Sequence, residues 1–156
     1  MANERDAARV RVPPPLLALL GIAGGVALNQ LWPLEPLPFS YARVVVGAAV
    51  ALVGLTLIVV TAVSLKRSGQ NPEPWQPTPS VLIGGTFRFS RNPVYLGMLV
   101  VQLGASVVIG TAWIAVMVFP TWLALRQLVV LREEAYLEKK FGETYLAYKR
   151  SVRRWL

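Results

Sequence analysis

Apolar residues along this chain are gathered into long blocks instead of alternating with polar ones. Leu16 to Leu31 carries no charge, and Val44 to Leu65 is a second uncharged block rich in Val, Ala and Leu. Pro93 to Leu125 is a third, too long for one straight crossing of a bilayer core, which takes about 20 apolar residues. The polar pair Gly110–Thr111 divides it, which predicts one helix of roughly 17 residues and another of roughly 20 continuing to Leu131. The pattern therefore predicts an all-α integral membrane protein with about four transmembrane helices. The first is short, and is either completed by Val12 to Pro15 or tilted. Arg5, Arg9 and Arg11 ahead of it would also suit a signal peptide, but no clean small-x-small cleavage site follows and further spans come after.

Two segments outside these blocks are too long or too patterned to be plain linkers. Lys66 to Asn92 reads KRSGQNPEPWQPTPSVLIGGTFRFSRN. Its prolines at 72, 74, 77 and 79 disfavour helix, and Gly84–Gly85 allows a sharp bend or a close approach of ligand to backbone. The interleaved Trp75, Val81, Leu82, Ile83, Phe87 and Phe89 predict a loop packed at the membrane surface. The segment after Leu131 is amphipathic, with Tyr136, Leu137, Phe141, Tyr145 and Tyr148 at mixed three- and four-residue spacings. Gly142 is expected to break it into two helices that lie in the membrane interface.

Composition agrees with the pattern and removes several classes of function. Of 156 residues 54% are hydrophobic and 15% charged, with a mean hydropathy of +0.50, against about 25% charged in soluble domains. The chain has no cysteine and no histidine, which excludes disulfides, thiolate chemistry and the commonest metal ligands; no metal is expected. The net charge of +8 could indicate nucleic acid, but the positions of the basic residues give it another meaning. Every Lys and Arg except Arg43 falls on one side if both termini are cytoplasmic, which is the topology the positive-inside rule predicts. No nucleic-acid partner is expected, and the chain is read as a multi-pass protein of a bacterial inner membrane.

A few polar groups lie where they are costly. Arg126 and Gln127 precede the end of the fourth predicted helix, and Glu133 follows Arg126 by two turns on nearly the same face. The adjacent Glu133–Glu134 pair repels itself at a helix end where the dipole gives no help. It calls for a cation, either Arg132, Arg126 or the ammonium or sulfonium of a ligand. Tyr95, Gln102 and Ser106 form one polar stripe on the third helix, which either helix–helix hydrogen bonds or a pocket would explain.

The stretch G85-T-F-R-F-S-R-N-P-V-Y-L-G97 resembles the first motif of the isoprenylcysteine carboxyl methyltransferase and phospholipid methyltransferase superfamily. R132-E-E-A-Y-L-E-K-K-F-G142, followed by Tyr145, Tyr148 and V152-R-R-W, resembles its second motif. The resemblance implies an integral-membrane methyltransferase that uses S-adenosylmethionine, with its active site facing the cytoplasm. Carried over residue by residue, it implies a cofactor pocket of Ser80, Val81, Leu82, Phe87, Asn92, Pro93, Val94, Tyr95 and Glu133. Glu133 aligns with the family glutamate that meets the methionine end of the cofactor, and Glu134 would be a supporting or alternative partner. The chain is then one membrane domain, 1–156: an N-terminal helical hairpin over 1–65, then the cofactor-binding loop, helices three and four and the C-terminal helical segment over 66–156.

The sequence departs from the prenylcysteine enzymes in two places. Asn92 stands where they typically have histidine, and Val129 where they have a substrate-contacting arginine, a role Arg126 one turn earlier could take. The expected catalytic set is Glu133, Glu134 and Arg126. The expected partners are membrane lipids and a lipophilic small-molecule or lipidated acceptor, methylated on carboxylate, amine or thiol. The alternatives are a phospholipid N-methyltransferase and a non-catalytic membrane adaptor whose basic tail binds anionic lipid. A related nicotinamide-dependent sterol reductase fits less well, because the chain is shorter than those and has no GxGxxG fingerprint.

Overall fold

The computed structural model describes residues 7–8, 10–35 and 38–156; Arg5 and Arg9, counted above toward the topology, lie outside the described residues. Helix α1 is Pro14–Leu31, α2 Tyr41–Arg67, α3 Pro93–Ile109, α4 Ala112–Val116 and α5 Val118–Leu125. A π-helical turn, Arg126–Val130, carries α5 into α6, Leu131–Phe141, and α7 is Glu143–Ser151. The architecture is all helical among the described residues, as the apolar blocks predict.

Three helical stretches are long and apolar enough to cross a membrane: Pro14–Leu31, Tyr41–Arg67 and Ala112–Phe141. The third predicted crossing, α3, is shorter at 17 residues. Both its ends are set by the sequence. Pro93 occupies its first turn, where a missing N–H costs nothing, and Gly110 ends it in the left-handed region at φ 83°. Large aliphatic side chains such as Leu52, Val53, Leu55 and Val59 on α2 are more than half exposed. A patch of that size in water marks a contact surface, and in this chain it is the face turned to lipid.

Helices α2 and α3 pack against each other most extensively, and small residues allow it. A Cβ on Gly54 would lie 2.6 Å from the Gly97 carbonyl oxygen, and one on Gly97 would lie 2.7 Å from that of Gly54. Gly47 and Gly104 repeat the arrangement two turns away, where a Cβ on Gly104 would meet the Gly47 oxygen at 2.7 Å. Without a hydrophobic drive between helices in lipid, this close backbone contact is the source of association. Gly97→Ala is expected to destabilise the protein by about 1–3 kcal/mol through overpacking, read as a lower melting temperature in detergent. An unchanged melting temperature would show that the helices can separate freely at this point.

Hydrogen bonds fix which helix ends lie together. At one end Thr111 Oγ1 bonds Asn29 Oδ1 at 2.9 Å, Trp113 Nε1 donates to the Trp32 carbonyl at 2.7 Å, and Arg43 reaches the Val108 carbonyl at 3.4 Å. Two members of the α3 polar stripe serve this packing: Gln102 donates to the Ile114 carbonyl and Ser106 to the Thr111 carbonyl. The opposite end gathers Ala8, the end of α2, the start of α3 and the start of α6 around one cavity. Arg43 is thus at the end away from the cavity, as the distribution of charge along the sequence requires.

The long loop and the C-terminal segment fold onto each other at the cavity end. Buried Gln70 donates to the Ser80 carbonyl at 3.0 Å and to its hydroxyl at 3.2 Å, closing the proline-rich stretch into a loop. Gly142 separates α6 from α7 as expected. The aromatic face of α7 does not lie open to headgroups: Tyr145, Tyr148 and Val152 are buried against Val81, Phe87, Leu137 and Phe141.

Candidate functional site

The cavity has a volume of about 130 Å³. Its walls come from the loop after α2, the start of α3, the start of α6 and the aromatic face of α7. Ser80, Val81, Leu82, Phe87, Asn92, Pro93, Val94, Tyr95, Glu133 and Glu134 all line it, so the fold brings together the residues singled out in both motifs. Arg126 is not among the lining residues. It sits half-buried in the π turn, whose i→i+5 spacing shifts everything after it by one residue and breaks the regular register that would align Arg126 with Glu133.

The two adjacent glutamates have separate roles in the structure. Glu134 is 5% exposed and is held by Arg154, whose Nε and Nη2 donate to its two oxygens at 2.9 and 2.8 Å. Arg91 Nη2 lies 3.3 Å from the same carboxylate. Donating this fork of hydrogen bonds to Glu134 raises the Arg154 pKa above its ordinary value. Glu133 instead accepts from the Tyr95 hydroxyl at 2.6 Å, and among the described residues no cationic side chain pairs with it. The cation that the sequence required for the pair is therefore supplied for Glu134 by two arginines to which the sequence analysis gave no place in the site. For Glu133 the described protein supplies none.

Residues beyond α7 complete the site. The Arg91 amide donates to the Arg153 carbonyl at 3.1 Å, and Asn92 Nδ2 donates to the Arg154 carbonyl at 2.9 Å. The Ser90 hydroxyl reaches the same carbonyl at 3.3 Å and also accepts from the Asn92 amide. Trp155 anchors the segment against Trp122, with ring centroids 6.2 Å apart. The first motif is thus stitched to the second through the strand-like end of the chain. Asn92, which lines the cavity, has its side-chain nitrogen committed to this stitching.

Tyr148 donates to the Phe87 carbonyl at 2.8 Å, and burial pushes its hydroxyl up to about 12, with the Arg91 charge opposing. Burial, and then the Glu134 charge, also pushes the Tyr145 hydroxyl well up. Both phenols stay protonated at any physiological pH and serve as apolar wall, with Tyr148 also donating to the loop, and neither acts as a base. Tyr95→Phe removes the one side-chain hydrogen bond found on Glu133 among the described residues, a charged acceptor, where such bonds contribute about 1.5–3 kcal/mol. Ligand affinity is expected to fall roughly 10- to 150-fold with the fold intact, measured by titration beside a melting curve. An affinity within error of the parent would mean that Tyr95 does not orient the carboxylate.

Gln70, Arg91, Tyr145, Tyr148 and Arg154 shape the site although neither sequence motif assigned them a role in it. Tyr145 and Tyr148 could have been found, because they stand at helical spacing in the second motif. Gln70 gave no signal that distinguishes it from its polar loop neighbours. Among the described residues no cluster of three or more acidic side chains that could hold a metal occurs.

Comparison with known proteins bears on this arrangement. A protein-family model described as phospholipid methyltransferase matches residues 42–144, a range that includes α2, the loop, α3 and Glu133–Glu134. An uncharacterized protein of Haemophilus influenzae is 43% identical over 65 residues, which is 40% of this chain and the whole of that protein. No solved structure gives a significant match. The family match spans most of the chain and contains both glutamates and most of the wall of the cavity; the chain belongs to the phospholipid methyltransferase family, within the superfamily that its two motifs resemble, and is a membrane methyltransferase by family.

Proposed function

We propose that the protein is an S-adenosylmethionine-dependent methyltransferase acting on a lipophilic acceptor that reaches the cavity from the bilayer, in the manner of isoprenylcysteine carboxyl methyltransferases. The observation that carries this reading is Glu133, a cavity-lining carboxylate bonded to a neutral hydroxyl, beside a glutamate that already holds two arginines. A buried carboxylate without a protein cation is a fitting partner for a positively charged ligand. The remaining wall suits the rest of such a cofactor. Val81, Leu82 and Phe87 offer apolar surface for an adenine ring, and Ser80 offers polar groups at a loop position fixed by Gln70.

S-adenosylmethionine, when bound, supplies a methyl group on a sulfonium that is already an activated leaving group. The work left to this chain is to hold, orient and desolvate, and good orientation alone lowers a barrier by about 7–11 kcal/mol. Glu133 fixes the cationic end, Tyr95 fixes Glu133, and the packing of α7 on the loop keeps water from the apolar wall. A carboxylate acceptor needs no base, so the absence of histidine is no obstacle. The family match supports a phospholipid amine as the second acceptor class. That amine must lose a proton, and the cavity carboxylates outside the arginine pairs, Glu133 and Glu73, are the groups placed to receive it. We further propose that the cavity faces the cytoplasm, because Arg91, Arg154 and the basic C-terminal segment lie at its end of the molecule.

The test is to incubate the purified protein with methyl-labelled cofactor and a total lipid extract and to identify the labelled product. A methyl ester or a methylated amine in the lipid fraction is expected. Label that never enters the extract, from a protein shown to be folded, would contradict the reading.

A further inference from the structure

Glu134 has more cationic partners than it can use. Arg154 alone gives it two well-formed hydrogen bonds, one to each oxygen. Arg91 adds a longer contact of 3.3 Å to an oxygen already taken, while its side chain is only 7% exposed. Its Nε and Nη1 are buried and meet no acceptor. A guanidinium carries five donors and cannot deprotonate, so the group is a surplus positive charge in the cavity wall with unanswered donors. Buried donors left this way are unfavourable and favour a ligand that supplies an acceptor. The cavity consequently has two poles: a carboxylate without a cation at Glu133, and a cation without its full complement of acceptors at Arg91. Tyr145 lines the same part of the wall, its hydroxyl in hydrogen-bond contact with the Arg91 guanidinium.

A ligand that answers both poles must be a zwitterion. Resting on the cofactor reading above, we propose that Arg91 is the carboxylate-recognising residue of the site: it takes the α-carboxylate at the methionine end of the cofactor while Glu133 takes the cationic groups. The two charges then define one direction for the amino-acid end, and with it the direction in which the methyl group is presented. Arg91 is the residue immediately before Asn92, so the same turn that starts α3 sets both this charge and the apolar start of the helix. The stitching by Arg153 and Arg154 holds that turn in place.

The experiment is a titration series on the unaltered protein in detergent with three ligands. These are S-adenosylhomocysteine, its analogue S-adenosyl-3-thiopropylamine that keeps the amine but lacks the carboxylate, and 5′-methylthioadenosine that lacks both. Loss of the carboxylate alone is expected to weaken binding at least about tenfold, as for a buried charge pair that loses one partner. In Arg91→Gln, S-adenosylhomocysteine is expected to fall to the affinity of the analogue, and the analogue itself to stay within about twofold. The two expectations form a cycle in which the arginine and the carboxylate should be worth nothing without each other. Equal affinities for S-adenosylhomocysteine and the analogue in the unaltered protein would overturn the proposal, whatever the fate of the variant. Failure of all three ligands to bind would instead bring down the cofactor reading on which it rests.

Discussion

Glu133→Gln is expected to abolish detectable methyl transfer and to weaken S-adenosylhomocysteine binding by roughly 30-fold or more. The substitution preserves shape, and the amide oxygen can still accept from Tyr95, so the helix and its packing are undisturbed. It removes only the negative charge. Truncating one member of a desolvated charge pair costs about 2–5 kcal/mol, and each 1.4 kcal/mol is about a factor of ten in affinity. Calorimetric titration of the variant, beside its melting curve, reads this directly. A variant that melts like the parent and binds the ligand equally well would show that Glu133 does not meet the cofactor, and the site would have to be sought elsewhere.

The second large effect is on stability. Glu134→Gln leaves Arg91 and Arg154 side by side with no anion between them. Breaking a buried pair by removing one partner costs about 3–5 kcal/mol, because the remaining charge is stranded in a medium that solvates it poorly. Here one carboxylate answers two guanidiniums, so the upper part of that range is expected. The variant should melt at a clearly lower temperature in detergent, and it should also lose the end of the chain from its seat on Ser90 and Asn92. Faster proteolysis near Arg153 and Arg154 checks the second point. A variant with the melting temperature of the parent would mean that this end of the chain is held by Trp155, Val152 and the hydrogen bonds to its backbone, without help from the ion pairs. The neighbouring substitutions thus separate function from folding: the loss at 133 falls on binding, and the loss at 134 on the fold.

How much of this was legible in the sequence depends on the kind of information needed. Uncharged blocks of membrane-crossing length identified the helices, since a helix in lipid has to be apolar along its whole length. The break at Gly110–Thr111 could be read for the same reason, as could the division of the C-terminal segment at Gly142. The residues lining the cavity were reached through the motif resemblance and not through periodicity. Asn92, Tyr95 and Glu133 have unremarkable spacing until the fold brings them together.

What the sequence could not show is which charge meets which. Arg91 and Arg154 contribute to the positive-inside count like any other basic residue, and nothing local marks them as the partners of Glu134. The hydrogen bonds that join the first motif to Arg153 and Arg154 span some sixty positions of chain, and no periodic pattern encodes contacts at that distance. The π turn is a similar case. Arg126 and Glu133 look aligned on a regular helix, but one wider turn between them is enough to remove the alignment. It is the packing of Val129 and Val130, both fully buried, that the turn accommodates, and this could not be anticipated from an apolar run that reads the same in either register.

On the proposed reading, the cavity at the start of α3 binds an adenosyl amino-acid cofactor through Glu133. The most direct test of that reading is an equilibrium titration of the unaltered, purified protein in detergent with S-adenosylhomocysteine. Saturable binding to one site per chain is expected, with a matching rise in melting temperature as ligand stabilises the folded state. A flat titration with no shift in melting, from protein that unfolds cooperatively on its own, would contradict it.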